Sequence, residues 1–234
     1  RKVFIGLDLS AQIDTTCVCL IFPPIDAKEE VYTIYPRIYT PAGLVHEKER
    51  RDRRPWLMWR DAGEVICPPG DVIRTEDIIA DIKKDLEDYD VKALIYDRWG
   101  TKLVEPILWT MGFDNPLKKK LPTGFQGDAR HKQIEMCRRP AIPMGQGFYD
   151  MPEAIRLMEE YCILKRINHG GHRALAFQIF NVLLVTDESN NPKFSKKRSG
   201  AHIDAAVAAS MALYWAQRLN PKGSIYEGRG LTVI

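Results

Sequence analysis

KVFIGLDLS, residues 2–10, is the stretch from which the fold can be read. Val3, Phe4, Ile5 and Leu7 make a nearly continuous apolar run with one carboxylate, Asp8, at its far end. A run that is apolar on both faces is a strand covered on both faces, at the centre of a sheet. A carboxylate at the end of such a strand is costly to bury unless a metal ion or a cation sits beside it. Taken alone, Asp8 fits a strand cap or the start of a turn equally well, and it is only a candidate for a site.

Working outward, residues 11–14 leave room for a hairpin turn, and residues 15–22, TTCVCLIF, are β-branched and apolar, a second strand. Pro23 and Pro24 end it. Residues 30–39, EVYTIYPRIY, alternate enough for a third strand, with Pro36 predicting a bulge or a sheet edge. Three strands with short connections predict an antiparallel meander. The opening pattern then returns at residues 91–97, VKALIYD, an apolar run ending in Asp97. Between the two runs, Ile78, Ile79, Ile82 and Leu86 recur at helical spacing over residues 75–89, with Thr75 as the candidate cap. A helix joining two covered strands predicts a parallel crossover.

The remaining segments are read more coarsely. Residues 46–54, HEKERRDRR, are a dense charge run that suits a solvated helix or loop as well as a phosphate-contacting surface. Residues 56–62 predict a short helix carrying two tryptophans, residues 64–67 an extended piece, and residues 101–111 another helix. Residues 124–130 are turn-rich. Residues 133–150, with Pro140, Pro143, Gly145 and Gly147 in quick succession, carry no assignment. Residues 152–165 form a helix with Ile155, Leu157, Met158, Tyr161 and Cys162 on its apolar side. Residues 168–172 turn into a helix that runs through Phe180, then the chain extends through Val185 and turns at 187–191. Residues 193–200, KFSKKRSG, are basic, small and flexible. Residues 201–219 are the clearest helix, with Ile203, Ala206, Val207, Met211 and Tyr214 as its buried stripe and Ser210 on the same face. Asn220 and Pro221 stop it, and residues 220–234 read as a tail.

The chain of 234 residues is 45% hydrophobic, enough for a proper core, and its length fits one domain, 1–234. The net charge of +3 is too mild to specify a nucleic-acid partner, but the basic residues are clustered. The five cysteines form no Cys-x-x-Cys pair, which argues against a zinc ribbon and for a reducing compartment. No apolar run is long enough to span a membrane and no signal peptide opens the chain, so no membrane partner is expected. A chain that opens on Arg1 and runs straight into a strand reads as an excised domain.

Asp204 lies in the first turn of the last helix, where the helix dipole favours an acid whatever its function. Together, though, Asp8, Asp97 and Asp204 form a coherent set. If the two strands are adjacent and parallel, Asp8 and Asp97 emerge at the same sheet edge, and a helix whose N-terminal turn crosses that edge brings Asp204 to them. Three crowded carboxylates repel one another unless a divalent cation is present. An oxygen-only donor set suits Mg²⁺ or Mn²⁺ rather than zinc, and two such ions support phosphodiester cleavage. His169, His172 and His202 lack cysteine partners at zinc-ligand spacing. His202 is a candidate auxiliary to a scissile phosphate or a metal-bound water, or an outward-facing cap residue.

These features resemble a known family. The GLDLS opening, the strand ending in IYD and the HIDAAVAASMAL helix are similar to the ribonuclease H-like fold, and their order and spacing resemble the nuclease domain of the large terminase subunit of tailed bacteriophages. The resemblance extends to a Trp-containing segment after the third strand, NHGGHRALAFQIFN, and KFSKKRSG just before the acidic helix. It implies an α/β fold with a mixed five-stranded or slightly larger sheet, its first three strands antiparallel, flanked by helices. It implies metal-dependent endonucleolytic cutting of double-stranded concatemeric viral DNA during packaging, in the cytoplasm of the infected bacterial host. Asp8, Asp97 and Asp204 would be the catalytic, metal-binding acids for two Mg²⁺ or Mn²⁺ ions, with Asp8 shared. A fourth carboxylate, where present, would be Asp187 or Asp14. Lys193, Lys196, Lys197 and Arg198 would hold the DNA backbone without base specificity. The family's partners are a packaging ATPase domain in the same full-length protein, a small terminase subunit and the portal. No GxxxxGK[ST] phosphate loop occurs here, so the ATPase is expected to be missing from this chain.

Three rivals remain. A sugar-kinase or actin-like ATPase needs a glycine- and threonine-rich phosphate hairpin, whereas the turn here is LSAQID, with no glycine. A junction resolvase or transposase-type nuclease would share the acids and differ in substrate. A non-catalytic DNA-binding or docking module would bind duplex without divalent-dependent nicking.

Overall fold

A computed structural model describes residues 1–9, 15–26, 28–98, 104–123, 125–196 and 202–220. The apolar run at the N-terminus becomes β1 (Lys2–Asp8), covered on both faces as expected. It pairs antiparallel with β2 (Thr16–Phe22), which pairs antiparallel with β3 (Tyr32–Tyr39). On its other side β1 lies parallel to β5 (Asp90–Asp97), and β5 lies parallel to β6 (Ala141–Met144). Two short strands, β4 (Val65–Ile66) and β7 (Ile167–Asn168), pair with opposite ends of β3. The sheet order is therefore β4-β3-β2-β1-β5-β6 with β7 beside β3, a mixed sheet with its first three strands antiparallel, as expected, and two small additions at one edge.

Pro36 sits in unbroken register opposite Cys19, so the predicted bulge is not there. The alternative, an edge, holds: Pro36 falls between the stretches of β3 that β4 and β7 cover. β6 was invisible in the sequence because it has four residues, follows Pro140 and contains Pro143. A proline is tolerated there because β6 is an edge strand among the described residues.

Helices cover both faces. α3 (Thr75–Asp88) and α4 (Glu105–Thr110) pack Ile78, Ile79, Ile82 and Leu108 against Val3, Ile5 and Leu7. Arg74, not Thr75, occupies the cap position of α3, and it makes no side-chain cap. The first residues of the helix expected at 101–111 lie outside the described residues, as do the turn at 11–14 and residues 221–234. The other face holds α2 (Trp56–Asp61), α5 (Ala129–Glu135), α6 (Met151–Ile163), α7 (Arg173–Phe180) and α8 (Asp204–Leu219). The charge run at 46–54 forms most of α1 (Val45–Asp52). Residues expected to be flexible at 193–194 instead belong to β9 (Pro192–Phe194), which pairs with β8 (Leu184–Thr186) in a two-stranded hairpin.

α8 is buried on nearly every side from Asp204 to Ala216, not along one stripe, and Tyr214, expected in that stripe, is half-buried. Its alanines let it lie directly on β1. A Cβ built on Gly6 would stand 2.1 Å from the carbonyl oxygen of Ala208. Among the described residues, no helix is long and apolar enough to cross a membrane.

Candidate active site

Strand alternation decides where the acids point. Phe4 and Gly6 face α8, so Asp8, two residues further, does too. Ala93 and Ile95 of β5 share that face, and Asp97 continues their phase. The parallel register pairs Leu7 with Tyr96, which leaves Asp8 and Asp97 side by side at the carboxyl edge of the sheet. The first turn of α8 crosses the same edge, one turn before the Gly6–Ala208 contact, and carries Asp204 there. Asp8 and Asp204 are 1% and 3% exposed, so neither is an ordinary surface carboxylate.

Two donors link the three acids. Lys196 Nζ donates to Asp8 Oδ2 at 3.0 Å and to Asp204 Oδ1 at 2.9 Å. Gln146 Nε2 donates to Asp8 Oδ1 at 3.1 Å and to Asp97 Oδ2 at 3.0 Å. Asp8 is thus the shared member, with Asp204 on one side and Asp97 on the other. Thr15, fully buried just before β2, donates its hydroxyl to Asp204 Oδ2. Gln178 of α7 accepts from the Ala205 amide at 2.8 Å and caps the start of α8. Burial pushes the Asp8 carboxyl up to about 7; Lys196 pulls it down, while Asp204 and then Asp97 push it up. Burial pulls the Lys196 ammonium down, but Asp8 and Asp204 outweigh it and the net shift is upward.

The chemistry of the donors fits a hard divalent cation: carboxylate oxygens, two of them buried, gathered where the chain's own ammonium already lies. As the side chains stand, no three His, Cys, Asp or Glu among the described residues are close enough to hold an ion together. Lys196 and Gln146 occupy the gaps between the carboxylates. The Lys196 side chain is 45% exposed, so its ammonium can swing outward while the acids stay.

A loop behind Gln146 is fastened by Asp150. Its carboxylate accepts from Gly145 N at 2.9 Å, from Arg98 at 2.7 Å and from Arg130 at 2.7 Å. A Cβ on Gly145 would lie 2.7 Å from Asp150 Oδ2, so the loop needs glycine there to close on the carboxylate.

The other sequence candidates are dispersed. Lys193 lies on β9 with its Nζ 4.3 Å from the Phe148 ring centroid. Lys197, Arg198 and Asp14 lie outside the described residues. Asp187 orders the β8–β9 turn, accepting from Ser189 N at 2.9 Å and Asn191 N at 2.8 Å. His202 turns toward α1, with Nε2 3.3 Å from Asp52 and its ring edge-on to Trp56. His172 caps α7, its Nδ1 accepting from Leu175 N at 3.1 Å. Sequence reasoning missed Gln146, Thr15 and Asp150. Gln146 and Asp150 fall in the unassigned stretch, and a neutral amide carries no signal until its neighbours are known.

The family model described as "Terminase large subunit, endonuclease domain" matches residues 1–126 and 129–219. A terminase large subunit of Enterobacteria phage HK97 is 28% identical over 213 residues, which cover 91% of this chain and 37% of that protein. The crystal structure of the HK97 bacteriophage large terminase aligns with a TM-score of 0.69 at 27% identity, covering 91% of this chain and 39% of that one. The chain thus spans under two fifths of the length of these two relatives.

Proposed function

This chain belongs to the terminase large subunit endonuclease domain family, and from that premise we propose that it is a divalent-metal-dependent endonuclease that cuts double-stranded concatemeric viral DNA during genome packaging. The observation that carries the reading is the set of Asp8, Asp97 and Asp204 at one sheet edge with a cationic group among them. In this reading Asp8, Asp97 and Asp204 would hold two Mg²⁺ or Mn²⁺ ions. When bound, such ions supply Lewis acidity, making water a nucleophile near neutral pH and offsetting charge on the departing 3′ oxygen.

The chain's own residues do the rest. Gln146 keeps Asp8 and Asp97 in fixed relation, and Thr15 does the same for Asp204. Lys196 offers positive charge at the mouth of the site, first to the carboxylates and then to an incoming phosphate. In this reading Lys193, Lys197 and Arg198 would also contact the DNA backbone, where contacts position the duplex and read no bases. The partners in this reading are the packaging ATPase domain of a full-length protein, a small terminase subunit and the portal, in the cytoplasm of the infected host.

The test is supercoiled plasmid incubated with this chain in Mn²⁺, Mg²⁺ or EDTA, beside Asp8→Asn and Asp204→Asn. Nicking and linearisation that need the ion and disappear in both variants are expected. Equal nicking by Asp8→Asn would sink the assignment.

A further inference from the structure

A cleft of about 510 Å³ opens on the far side of the Gly145–Asp150 loop, between α5, α6 and α8. Its size suits a single small ligand. Three residues lining it carry buried nitrogens with no hydrogen-bond partner among the described residues: Trp215 Nε1, Arg218 Nε and His131 Nδ1. Trp215 is itself only 5% exposed. An indole N–H and a guanidinium N–H can only donate, so what satisfies them must be an acceptor. Leaving such groups buried and unpaired costs stability, so each is a place where an unseen partner is expected.

The rest of the lining narrows the chemistry. The carboxylates there are already engaged: Asp150 by Arg98 and Arg130, Glu153 by Tyr214 and Arg218, Asp128 by the His131 amide. Arg156 is exposed and, among the described residues, donates only to the Asn190 carbonyl, at 3.3 Å, which leaves its charge for an anion. Tyr149, 93% exposed, offers a flat open face at the rim, while the ring of Phe148 beside it already carries Lys193 Nζ at 4.3 Å. Acceptor-seeking donors, a spare guanidinium and an open aromatic face together describe the complement of a nucleotide: a base to stack and a phosphate to pair.

We propose that this cleft binds one unpaired nucleotide of the DNA, with its base on Tyr149 and its phosphate on Arg156 and Arg218. The placement of that nucleotide next to the point of cutting rests on the endonuclease reading, because one loop carries Gln146 to the acids and Phe148 and Tyr149 to the cleft. A strand end or a base displaced from the stack would reach it; an intact duplex would not.

The experiment measures binding in EDTA, so cleavage plays no part. Fluorescence anisotropy compares a blunt labelled duplex with the same duplex carrying a short unpaired tail, for the intact chain, Tyr149→Ala and Trp215→Phe. The tailed duplex is expected to bind about tenfold tighter than the blunt one. Tyr149→Ala, a change on the surface, and Trp215→Phe, which keeps an aromatic side chain but loses the indole N–H, are each expected to remove most of that preference and leave blunt binding unchanged. Competition by dAMP that removes the tail preference, with inorganic phosphate failing to do so, would support recognition of a nucleotide. Equal competition by phosphate would overturn it in favour of a plain anion site. Equal binding of tailed and blunt duplex, or a preference that survives both variants, would overturn the proposal. Plasmid nicking by the same preparation in Mn²⁺ separates the two readings. Nicking without a tail preference sinks the cleft alone, whereas a tail preference without nicking sinks the endonuclease and leaves the cleft standing.

Discussion

One methyl group at position 6 would act on the site from a distance. The Cβ of Gly6→Ala would meet the backbone oxygen of Ala208 at 2.1 Å, and a backbone atom cannot rotate away. The helix must move off the strand, and Asp204 moves with it relative to Asp8. The expected cost is about 1–3 kcal/mol of stability, read by urea denaturation, with a loss of nicking that persists at temperatures where the variant is fully folded. Gln146 offers the complementary test. Gln146→Leu removes the donor between Asp8 and Asp97 at a half-exposed position. It is expected to lower nicking roughly 10- to 100-fold, the range for a residue that orients ligands, while the melting temperature stays near that of the parent. Full activity would show that the amide is incidental. Asp8 and Asp97 were legible in the sequence because each ends an apolar run at a place where a charge is expensive, whereas Asp204, in a helix first turn that favours an acid, stands out only beside them. Gln146, Thr15 and Asp150 break no pattern, and only the assembled edge reveals what they hold.

At the scale of single elements, an ion pair and a cap make predictions. Arg37 on β3 donates to Asp85 of α3, and both side chains are nearly buried, at 12% and 7% exposure. Arg37→Ala strands the Asp85 charge in the interface and is expected to cost about 3–5 kcal/mol, whereas replacing both partners by apolar residues of similar volume should cost far less. Urea denaturation of the single and double variants checks the order. The start of α7 depends on pH. Burial holds the His172 imidazole below its ordinary range; Glu64, 3.9 Å away, raises it and His169 lowers it. The folded chain therefore binds fewer protons at this position than the unfolded chain in the window below about 6.5. Stability is then at its plateau above that pH and falls as the pH drops through the window. His172→Asn keeps a capping acceptor without a titration, so its stability should decline less between about pH 6.5 and 5. A decline as steep as the parent's would assign the effect elsewhere. Long elements with a clear period, such as α3, α6 and α8, are readable from their residue spacing alone. β6 and β9 are not, because three or four residues carry too little pattern, and β6 interrupts even that with Pro143; of the short strands, β8 is anticipated only as a chain extended through Val185.

For the molecule as a whole, the proposed ions and the fold should be linked. A cation that binds only the folded chain stabilises it by mass action, about 2.7 kcal/mol at a hundredfold excess over its Kd. For a chain of this size that corresponds to a rise of roughly 5–10 °C in melting temperature. Mn²⁺ or Mg²⁺ is expected to raise the melting temperature of the intact chain, EDTA to reverse the rise, and Asp8→Asn to abolish it. A rise that survives Asp8→Asn would put the ion somewhere other than the sheet edge. The overall architecture could be anticipated from two apolar runs ending in acids and one buried-looking helix, since those elements make up the centre of the sheet and its cover. The cleft beside α8 could not, because its walls come from three helices and a loop that are distant in the chain.

The burial of α8 on nearly every side has a further consequence, for how the site can be switched. β1 and α8 cannot separate without opening the interior, so their amides should be among the slowest in the chain to exchange with deuterium. Asp8 and Asp204 therefore ride on the least yielding part of the molecule. Gln146 rides on a connecting segment outside that platform. In the proposed reading, control over cutting would act on the donors rather than on the carboxylates, through movement of the segments that carry them.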